Sequence, residues 1–465
     1  MDRGRVLANE PMDLGRLIDG QRFGRFNLNL LIWSFLATFA DGFEISAIGF
    51  ATPSIMREWH VDAASLGPML SASFVGNMIG LPIFGAIGDR YGRKPAIVFG
   101  CFLFGLSTLA VVGAHSVWQV TVLRFITGLG MCGLLPNIIA LSSELAPGRF
   151  RARLITLMFM GITAGSSVPG LVATWAVPLW GWQAIFWAGG GIAIVVAALL
   201  VVALPESVRY LAMRPGRERD LLATVRKMRP DLSFNEASRF SIVAPTHTGV
   251  PVGAIFRDGL APVTLLLWLC MIATLMANFF IGSWMPTLFE AKGFTPPDAA
   301  FAVTWYHLGG TLGGLAMSFL LDRYGCLAIG WLMVIAAPAI LGVSLPGLSL
   351  GVECALLTVV GFTVLGGQFG LNAVTGVVYP TAFRSLGIGI ALAVGRIGSI
   401  SGPNIGAAMI GAKLPLWMLL ATIAVDVAIG AIAAFALGWF AKRIFGSWRL
   451  GEAADADAAG LRATD

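Results

Sequence analysis

Twelve apolar stretches of membrane-spanning length follow one another along the chain. Six lie at about 27–50, 65–88, 95–114, 117–142, 154–178 and 183–204, and six at about 261–289, 299–320, 327–346, 351–375, 385–410 and 415–440. A transmembrane helix needs roughly 20 mostly apolar residues. The pattern therefore predicts an all-α membrane protein with twelve transmembrane helices in two six-helix halves. Its segments are an N-terminal segment (1–26), an N-terminal half (27–204), a central loop (205–260), a C-terminal half (261–440) and a tail (441–465).

Composition supports a protein that resides in the lipid bilayer. The chain is 57% hydrophobic and 12% charged, whereas soluble domains carry about 25% charged residues. Residues 1–26 do not have the pattern of a cleaved signal peptide, so we expect the first span to remain in place. The five cysteines suggest neither a disulfide framework nor a metal site. We expect no cofactor, no metal and no nucleic-acid partner, and no enzyme signature is present.

The distribution of basic residues predicts the orientation of the chain. Of the 31 Lys and Arg residues, 26 fall in segments that a twelve-span topology places on the side of both termini. The opposite side has Arg57, Lys292 and Lys413, and Arg124 and Arg396 lie within spans. Cytoplasmic loops of membrane proteins carry such an excess. We expect a multi-pass protein of the bacterial inner membrane, with both termini cytoplasmic and as a monomer.

Two motifs recur at one offset. Asp89-Arg90-Tyr91-Gly92 returns as Asp322-Arg323-Tyr324-Gly325, 233 positions later, and Pro147 with Arg151 returns as Pro380 with Arg384 at the same offset. Each motif follows a span of matching rank in its half. The halves are therefore predicted to be parallel structural repeats, an arrangement in which substrate is held near the bilayer midplane between them.

Two carboxylates lie inside the first span. Asp41 and Glu44 are three residues apart, so a helix places them on one face. A charge at the bilayer centre costs roughly 2.5–3.5 kcal/mol on insertion scales and usually faces a cavity or a partner. We interpret the pair as a proton site. The alternative is a structural pair fixed to an arginine elsewhere.

The segment Gly85-Ala86-Ile87-Gly88-Asp89-Arg90-Tyr91-Gly92-Arg93-Lys94 resembles the cytoplasmic signature of the major facilitator superfamily. The resemblance implies a gating latch in which Asp89 pairs with basic residues of the facing half. The predicted gating residues are Gly85, Asp89, Arg90, Arg93 and, in the second half, Asp322 and Arg323. The alternative is a solvated charged turn.

Arginines within the spans are the predicted partners of anions. Arg124, in Arg124-Phe125-Ile126-Thr127-Gly128-Leu129-Gly130, resembles a fourth-span motif of proton-coupled members of that superfamily. Its depth allows it to meet Asp41 and Glu44, and we predict that the three residues together form the proton-coupling site. Arg396 lies near the middle of the eleventh span, where a planar guanidinium suits a carboxylate. Alternatively, Arg396 pairs with Asp426, and which arginine holds the substrate carboxylate stays open.

A finer resemblance is to the aromatic acid:proton symporters. It rests on Asp41-Gly42-Phe43-Glu44, on Leu135-Pro136-Asn137, on Trp284-Met285-Pro286-Thr287-Leu288 and on Arg396. Glu44 stands where that group has a second aspartate. The resemblance implies proton-coupled import of a small aromatic carboxylate by alternating access. The alternatives are a symporter of another organic anion, such as an aliphatic carboxylate, and a transporter-like sensor.

Aromatic residues in the candidate cavity spans could enclose a ring. We predict substrate contacts from Phe43, Trp305 and Tyr306, although most membrane aromatics pack against other helices. His307 is predicted to hydrogen-bond a ring hydroxyl or to relay a proton. A histidine satisfied by packing is the alternative.

Overall fold

The computed structural model describes residues 12–232, 234, 240–241, 252–257, 259–379 and 384–445. Within them, twelve long helical spans succeed one another. We label them α1 (Arg25–Trp59), α2 (Gly67–Tyr91), α3 (Arg93–Val111), α4 (Val117–Met131 and Leu135–Leu145), α5 (Gly148–Trp175), α6 (Gln183–Ala203), α7 (Ala261–Ala291), α8 (Pro296–Tyr324), α9 (Cys326–Val343), α10 (Leu350–Val378), α11 (Arg384–Gly411) and α12 (Leu416–Phe445).

The helices are long and apolar enough to cross a membrane. Eleven helices in the described part of the chain meet both the length and the hydropathy expected of a span. The remaining one, α8, has 29 residues and occupies the eighth place in the order. The predicted all-α fold with twelve transmembrane helices is confirmed.

The two halves have the same internal packing. In the first half α1 packs on α5, α2 on α4 and α3 on α6; in the second half α7 packs on α11, α8 on α10 and α9 on α12. Adding six to the helix numbers of each first-half pair gives a pair of the second half. The structure thus repeats the 233-residue offset of the sequence motifs as a repeat of helix packing.

Glycines allow the closest helix pairs in both halves. A Cβ atom at Gly128 of α4 would collide with the backbone carbonyl of Ser73 on α2. At the corresponding place in the second half, a Cβ atom at Gly361 of α10 would collide with the carbonyl of Tyr306 on α8. Both residues of the second contact lie 233 positions beyond those of the first. Small residues at such crossings let membrane helices approach through backbone contact.

The contacts that join the halves lie toward one end of the bundle, which we call the sealed end; α1 and α7 end there. Helix α2 meets α11, α5 meets α8, and α1 meets α7. Asn404 donates to the hydroxyl of Ser71 over 3.0 Å, and Arg57 forms an ion pair with Glu290. The opposite end, where α1 begins and α6 ends, carries the excess of basic residues and is called the basic end.

Short elements cover the basic end of the first half. They are a parallel strand pair (Met12–Asp13 with Phe240–Ser241) and the helices Leu14–Asp19, Val208–Ala212 and Glu218–Met228. The last helix is amphipathic and buries Leu221, Leu222, Val225 and Met228. Asp19 accepts a hydrogen bond of 2.9 Å from the backbone N–H of Gly148 at the start of α5. These contacts fix the N-terminal segment to the α4–α5 turn.

Candidate functional site

A buried ion pair lies in the first half, between α1 and α4. Arg124 donates to the carboxylate of Glu44, and the exposed fractions of the two side chains are 0% and 1%. Arg124 also donates to the hydroxyl of Ser73 on α2 over 3.2 Å. The backbone contact at Gly128 brings Ser73 into this position. Removing one partner of such a pair leaves an uncompensated buried charge, which costs about 3–5 kcal/mol.

Asp41 faces a different arginine. The residue is 4% exposed, and its carboxylate interacts electrostatically with Arg396 of α11, across the boundary between the halves. Arg396 is half-buried. The two carboxylates of α1 therefore differ in their surroundings. Glu44 forms an ion pair within its own half, whereas Asp41 interacts electrostatically with an arginine of the other half.

A break in α4 contributes to the same region. The helix stops at Met131 and resumes at Leu135, and Cys132 lies in the turn between the segments. The thiol of Cys132 donates to the backbone carbonyl of Asn77 over 2.8 Å, and Cys132 interacts electrostatically with both Asp41 and Arg396. Asp41, Asn77, Cys132 and Arg396 thus lie around one location near the middle of the bundle.

Asp426 does not serve as the partner of Arg396. Among the described residues, the carboxylate that interacts with Arg396 is that of Asp41. One oxygen of Asp426, on α12, is buried without a hydrogen-bond partner in the described part of the chain. Arg396 therefore has its anion in the facing half.

The four predicted substrate contacts outside Arg396 fall into two groups. Phe43 is fully buried, and its ring lies against Gly189 of α6. Trp305 is 37% exposed and packs edge-on against Phe301 on the outer face of α8. Neither side chain is brought to the boundary between the halves, because each is held by neighbours within its own half.

Tyr306 and His307 lie closer to that boundary. The hydroxyl of Tyr306 donates to the side-chain oxygen of Asn278 on α7 over 2.8 Å. The ring of His307 is 6.4 Å from that of Phe50 on α1, in the other half. His307 is 6% exposed, and its Nε2 atom has no hydrogen-bond partner among the described residues.

The predicted gating residues lie at the basic end. Asp89 forms an ion pair of 2.7 Å with Arg93 of its own half, and Arg93 also lies 3.8 Å from Glu144 at the end of α4. The resemblance implied a partner for Asp89 in the facing half. In this conformation the contacts between the halves lie at the sealed end, and Asp89 pairs locally.

The repeated motif has the same local geometry twice. The guanidinium of Arg90 lies 5.5 Å from the ring of Tyr91, and that of Arg323 lies 5.4 Å from the ring of Tyr324. Gly85 has open space where a Cβ atom would lie. The side chain of Asp322 is outside the described part of the structure.

Glu206 reinforces the basic end of the first half. Its carboxylate accepts hydrogen bonds from the backbone N–H groups of Arg93, Lys94 and Ser207 over 2.9, 3.2 and 2.8 Å. An anion is favourable at this place because the N-terminus of α3 carries a partial positive charge. Burial raises the pKa of Glu206, and the three N–H donors act in the opposite direction.

Comparison with known proteins identifies the fold and the family. The sequence profile of the Major Facilitator Superfamily matches residues 34–403. The chain belongs to the major facilitator superfamily. It is accordingly a multi-pass membrane transporter and not an enzyme.

Curated relatives are similar over nearly their whole length. The chain is 33% identical over 446 residues to the 4-hydroxybenzoate transporter PcaK of Pseudomonas aeruginosa, covering 94% of this chain and 98% of that protein. It is 33% identical over 439 residues to a gallate transporter of Pseudomonas putida, covering 93% and 96%. A benzoate transport protein of Acinetobacter baylyi is 29% identical over 440 residues, covering 92% and 93%. The resemblance to aromatic acid transporters is thereby confirmed.

Solved structures agree on the fold. A bacterial homologue of the human lysosomal transporter Spinster, in an inward-facing and unoccupied conformation, has a TM-score of 0.64 at 17% identity. The match covers 92% of this chain and 99% of that one. The present major facilitator protein shares that fold; its halves are joined at the sealed end, and Asp89 pairs within its own half.

Several polar residues of the central region were not predicted from the sequence. Asn77, Asn278 and Gln368 each lie within an apolar span, and one oxygen of Gln368 is buried without a partner in the described residues. Gln368 donates to Asn372 over 3.2 Å and lies 3.3 Å from the sulfur of Met271. In the sequence, these residues are recognisable only as uncharged amides inside apolar spans. An uncharged amide indicates a functional site less strongly than a charged side chain does.

Proposed function

We propose that this chain imports a small aromatic carboxylate together with protons by alternating access, across the bacterial inner membrane. In this proposal the basic end faces the cytoplasm, both termini are cytoplasmic, and the monomer is the working unit. The sealed end then faces outward, and the conformation described above is open to the cytoplasm.

The observation that carries the proposal is the electrostatic interaction between Asp41 and Arg396, which lie in different halves. A guanidinium can hold both oxygens of a carboxylate in a fork. When a substrate carboxylate occupies Arg396, Asp41 loses the cation that partly offsets the cost of its buried charge. A proton on Asp41 removes that cost. Anion binding and proton binding thus support one another, as a symporter requires.

The buried pair of Glu44 and Arg124 supports this arrangement from within the first half. It holds α1 against α4 by an ion pair whose exposed fraction is close to zero. Asp41, one turn away on α1, is therefore presented to Arg396 from a fixed helix. Arg124 already has a carboxylate partner, which favours Arg396 as the group that receives the substrate.

The relatives support an aromatic substrate. They include transporters of 4-hydroxybenzoate, gallate and benzoate, all of which are aromatic rings bearing one carboxylate. A substrate of this class offers Arg396 the anion that its position needs.

The test compares an acid with its amide in wild type and in Arg396→Lys. Lysine keeps the positive charge but lacks the two-pronged guanidinium, so affinity for the acid should fall. Truncating one side of a buried charged pair costs on the order of 2–5 kcal/mol, and this figure is the upper limit of the expected loss in binding free energy. The amide binds wild type poorly and loses little more in the variant. Equal losses for acid and amide would show that Arg396 is not the partner of the carboxylate, and Arg124 would take its place.

Uptake of a labelled aromatic acid, with and without a protonophore, separates this function from its rivals. Accumulation that the protonophore abolishes supports symport. Binding without accumulation would indicate a sensor, and accumulation of aliphatic but not aromatic acids would indicate another organic-anion symporter.

A further inference from the structure

His307 occupies a place where this fold accepts an apolar ring. It lies at the boundary between the halves, beside Phe50 of α1. Only 6% of its surface is exposed. The Nε2 atom has no hydrogen-bond partner among the described residues. A buried polar group without a partner destabilises the fold, so packing does not explain a histidine here.

The internal repeat allows His307 to be compared with the residue at the equivalent position of the first half. The residue 233 positions before His307 is Phe74, on α2. Phe74 also meets a ring of the other half, since its centroid is 4.3 Å from that of Phe279 on α7. The two positions are equivalent in the fold, and one of them is filled by phenylalanine. The second half therefore carries an imidazole where a phenyl ring is structurally sufficient.

The depth of His307 along the bundle axis can be read from the contact that Tyr306, the preceding residue of α8, makes with α7. Tyr306 is bonded to Asn278 of α7, whereas Gly395, next to Arg396, lies against Met271 and Leu275 of the same helix. Asn278 is three to seven residues nearer the sealed end than these two positions, roughly 5–10 Å at the rise of an α-helix. This difference in depth along α7 is comparable to the length of a benzene ring with substituents at its two ends.

We propose that His307 is a specificity-determining residue that hydrogen-bonds a hydroxyl group on the substrate ring, at the end far from the carboxylate. The inference rests on the proposed function, in which Arg396 holds that carboxylate. A neutral imidazole has one donor and one acceptor, and a phenolic hydroxyl can engage either. The ligand class is an aromatic acid hydroxylated at the para or meta position.

The neighbouring hydroxyl serves as a control, because it is already engaged. Tyr306 donates to Asn278 and thereby ties α8 to α7. Tyr306→Phe removes a hydroxyl one residue from His307 without removing the imidazole. Its effect on the binding of different acids should not depend on whether they carry a hydroxyl.

The experiment measures equilibrium binding of 4-hydroxybenzoate and of benzoate to the purified full-length protein. Wild type should bind 4-hydroxybenzoate about tenfold more tightly, the value of one net hydrogen bond near the upper end of its usual range. His307→Phe, which copies the equivalent position, should lose this preference by weakening 4-hydroxybenzoate alone. His307→Met is a second apolar variant with the same expectation, and His307→Gln, which keeps a donor and an acceptor, should retain part of the preference.

Three results would overturn the assignment of His307. They are an equal loss for both acids in the apolar variants, an unchanged preference in those variants, and the absence of any preference in wild type. If wild type binds neither acid, the proposed function itself fails, and that outcome is distinct from all three.

Discussion

At the scale of single residues, the two carboxylates of α1 differ in which arginine each one faces. Glu44 is closed off with Arg124, with exposed fractions of 1% and 0%. Asp41 interacts with Arg396 of the other half. Under the proposed alternating access, a charge that faces an arginine of the other half changes its environment when the halves separate, whereas a charge paired within one half does not.

Asp41→Asn should abolish uphill accumulation of substrate while leaving exchange of substrate across the membrane. Asparagine keeps the size of the side chain but can neither neutralise Arg396 nor carry a proton. The measurement is uptake and counterflow in proteoliposomes with an imposed proton gradient. Asp426→Asn is the matched control, since it removes a buried carboxylate that does not face Arg396, and it should preserve coupling. Protonophore-sensitive accumulation by Asp41→Asn would contradict the prediction.

The sequence indicated which residues carry charge inside the membrane, but not how they pair. Asp41, Glu44, Arg124 and Arg396 stand out because ionisable groups are rare in spans. Their pairing depends on helix rotation and on contacts such as that of Gly128 with Ser73, which no spacing in the sequence reveals. Phe43 and Trp305 illustrate the same limit, because an aromatic residue packs equally well inside one half or against lipid.

At the scale of helices, glycine contacts fix how closely the spans approach. In α10, a Cβ atom at Gly361 would meet the carbonyl of Tyr306, whereas a Cβ atom at Gly367 would meet nothing within 4 Å. The two glycines are on the same helix and differ in what they face.

Gly361→Ala should destabilise the protein by roughly 1–3 kcal/mol, the usual cost of overpacking a tight contact. Gly367→Ala should leave stability unchanged or raise it by about 0.5–1 kcal/mol, because alanine favours the helix. Unfolding of the detergent-solubilised protein, followed by thermal and denaturant titration, measures both. Similar destabilisation by the two substitutions would mean that the contact with Tyr306 does not limit the approach of α8 and α10.

The apolar runs predicted the helices because a bilayer demands about 20 apolar residues in succession. They did not predict the break in α4 between Met131 and Leu135, although Pro136 stands at the start of the second segment. A proline that opens a helix and one that only bends it look alike in an apolar run. The neighbouring helices decide between them.

At the scale of the whole molecule, the joined end of the bundle defines its conformation. The link between Arg57 and Glu290 connects α1 to α7, and Asn404 with Ser71 connects α11 to α2. Two packings of the same halves differ by only a few kcal/mol in proteins of this kind. Under the proposed alternating access, one sequence has to be compatible with both packings, so the sequence predicts the halves but not which end is joined.

Breaking the link between Arg57 and Glu290 should shift the protein toward the conformation open at the other end. In Arg57→Gln, a cysteine introduced at Ser71, which is 4% exposed, should react faster with a membrane-impermeant maleimide added on the side of the sealed end. The exchange Arg57→Glu with Glu290→Arg should restore slow labelling, because it restores opposite charges. Fast labelling in the exchanged variant, or slow labelling in Arg57→Gln, would show that this pair does not hold the sealed end.

Arg57 and Glu290 are themselves 233 positions apart, as are Gly49 and Gly282, which meet where α1 crosses α7. Residues at equivalent positions meet each other on a twofold axis. Two identical chains arranged in this way would place arginine against arginine, or glutamate against glutamate, at this point. The electrostatic bond that closes the sealed end is therefore available to a single chain whose halves differ, and a homodimer of identical halves could not form it.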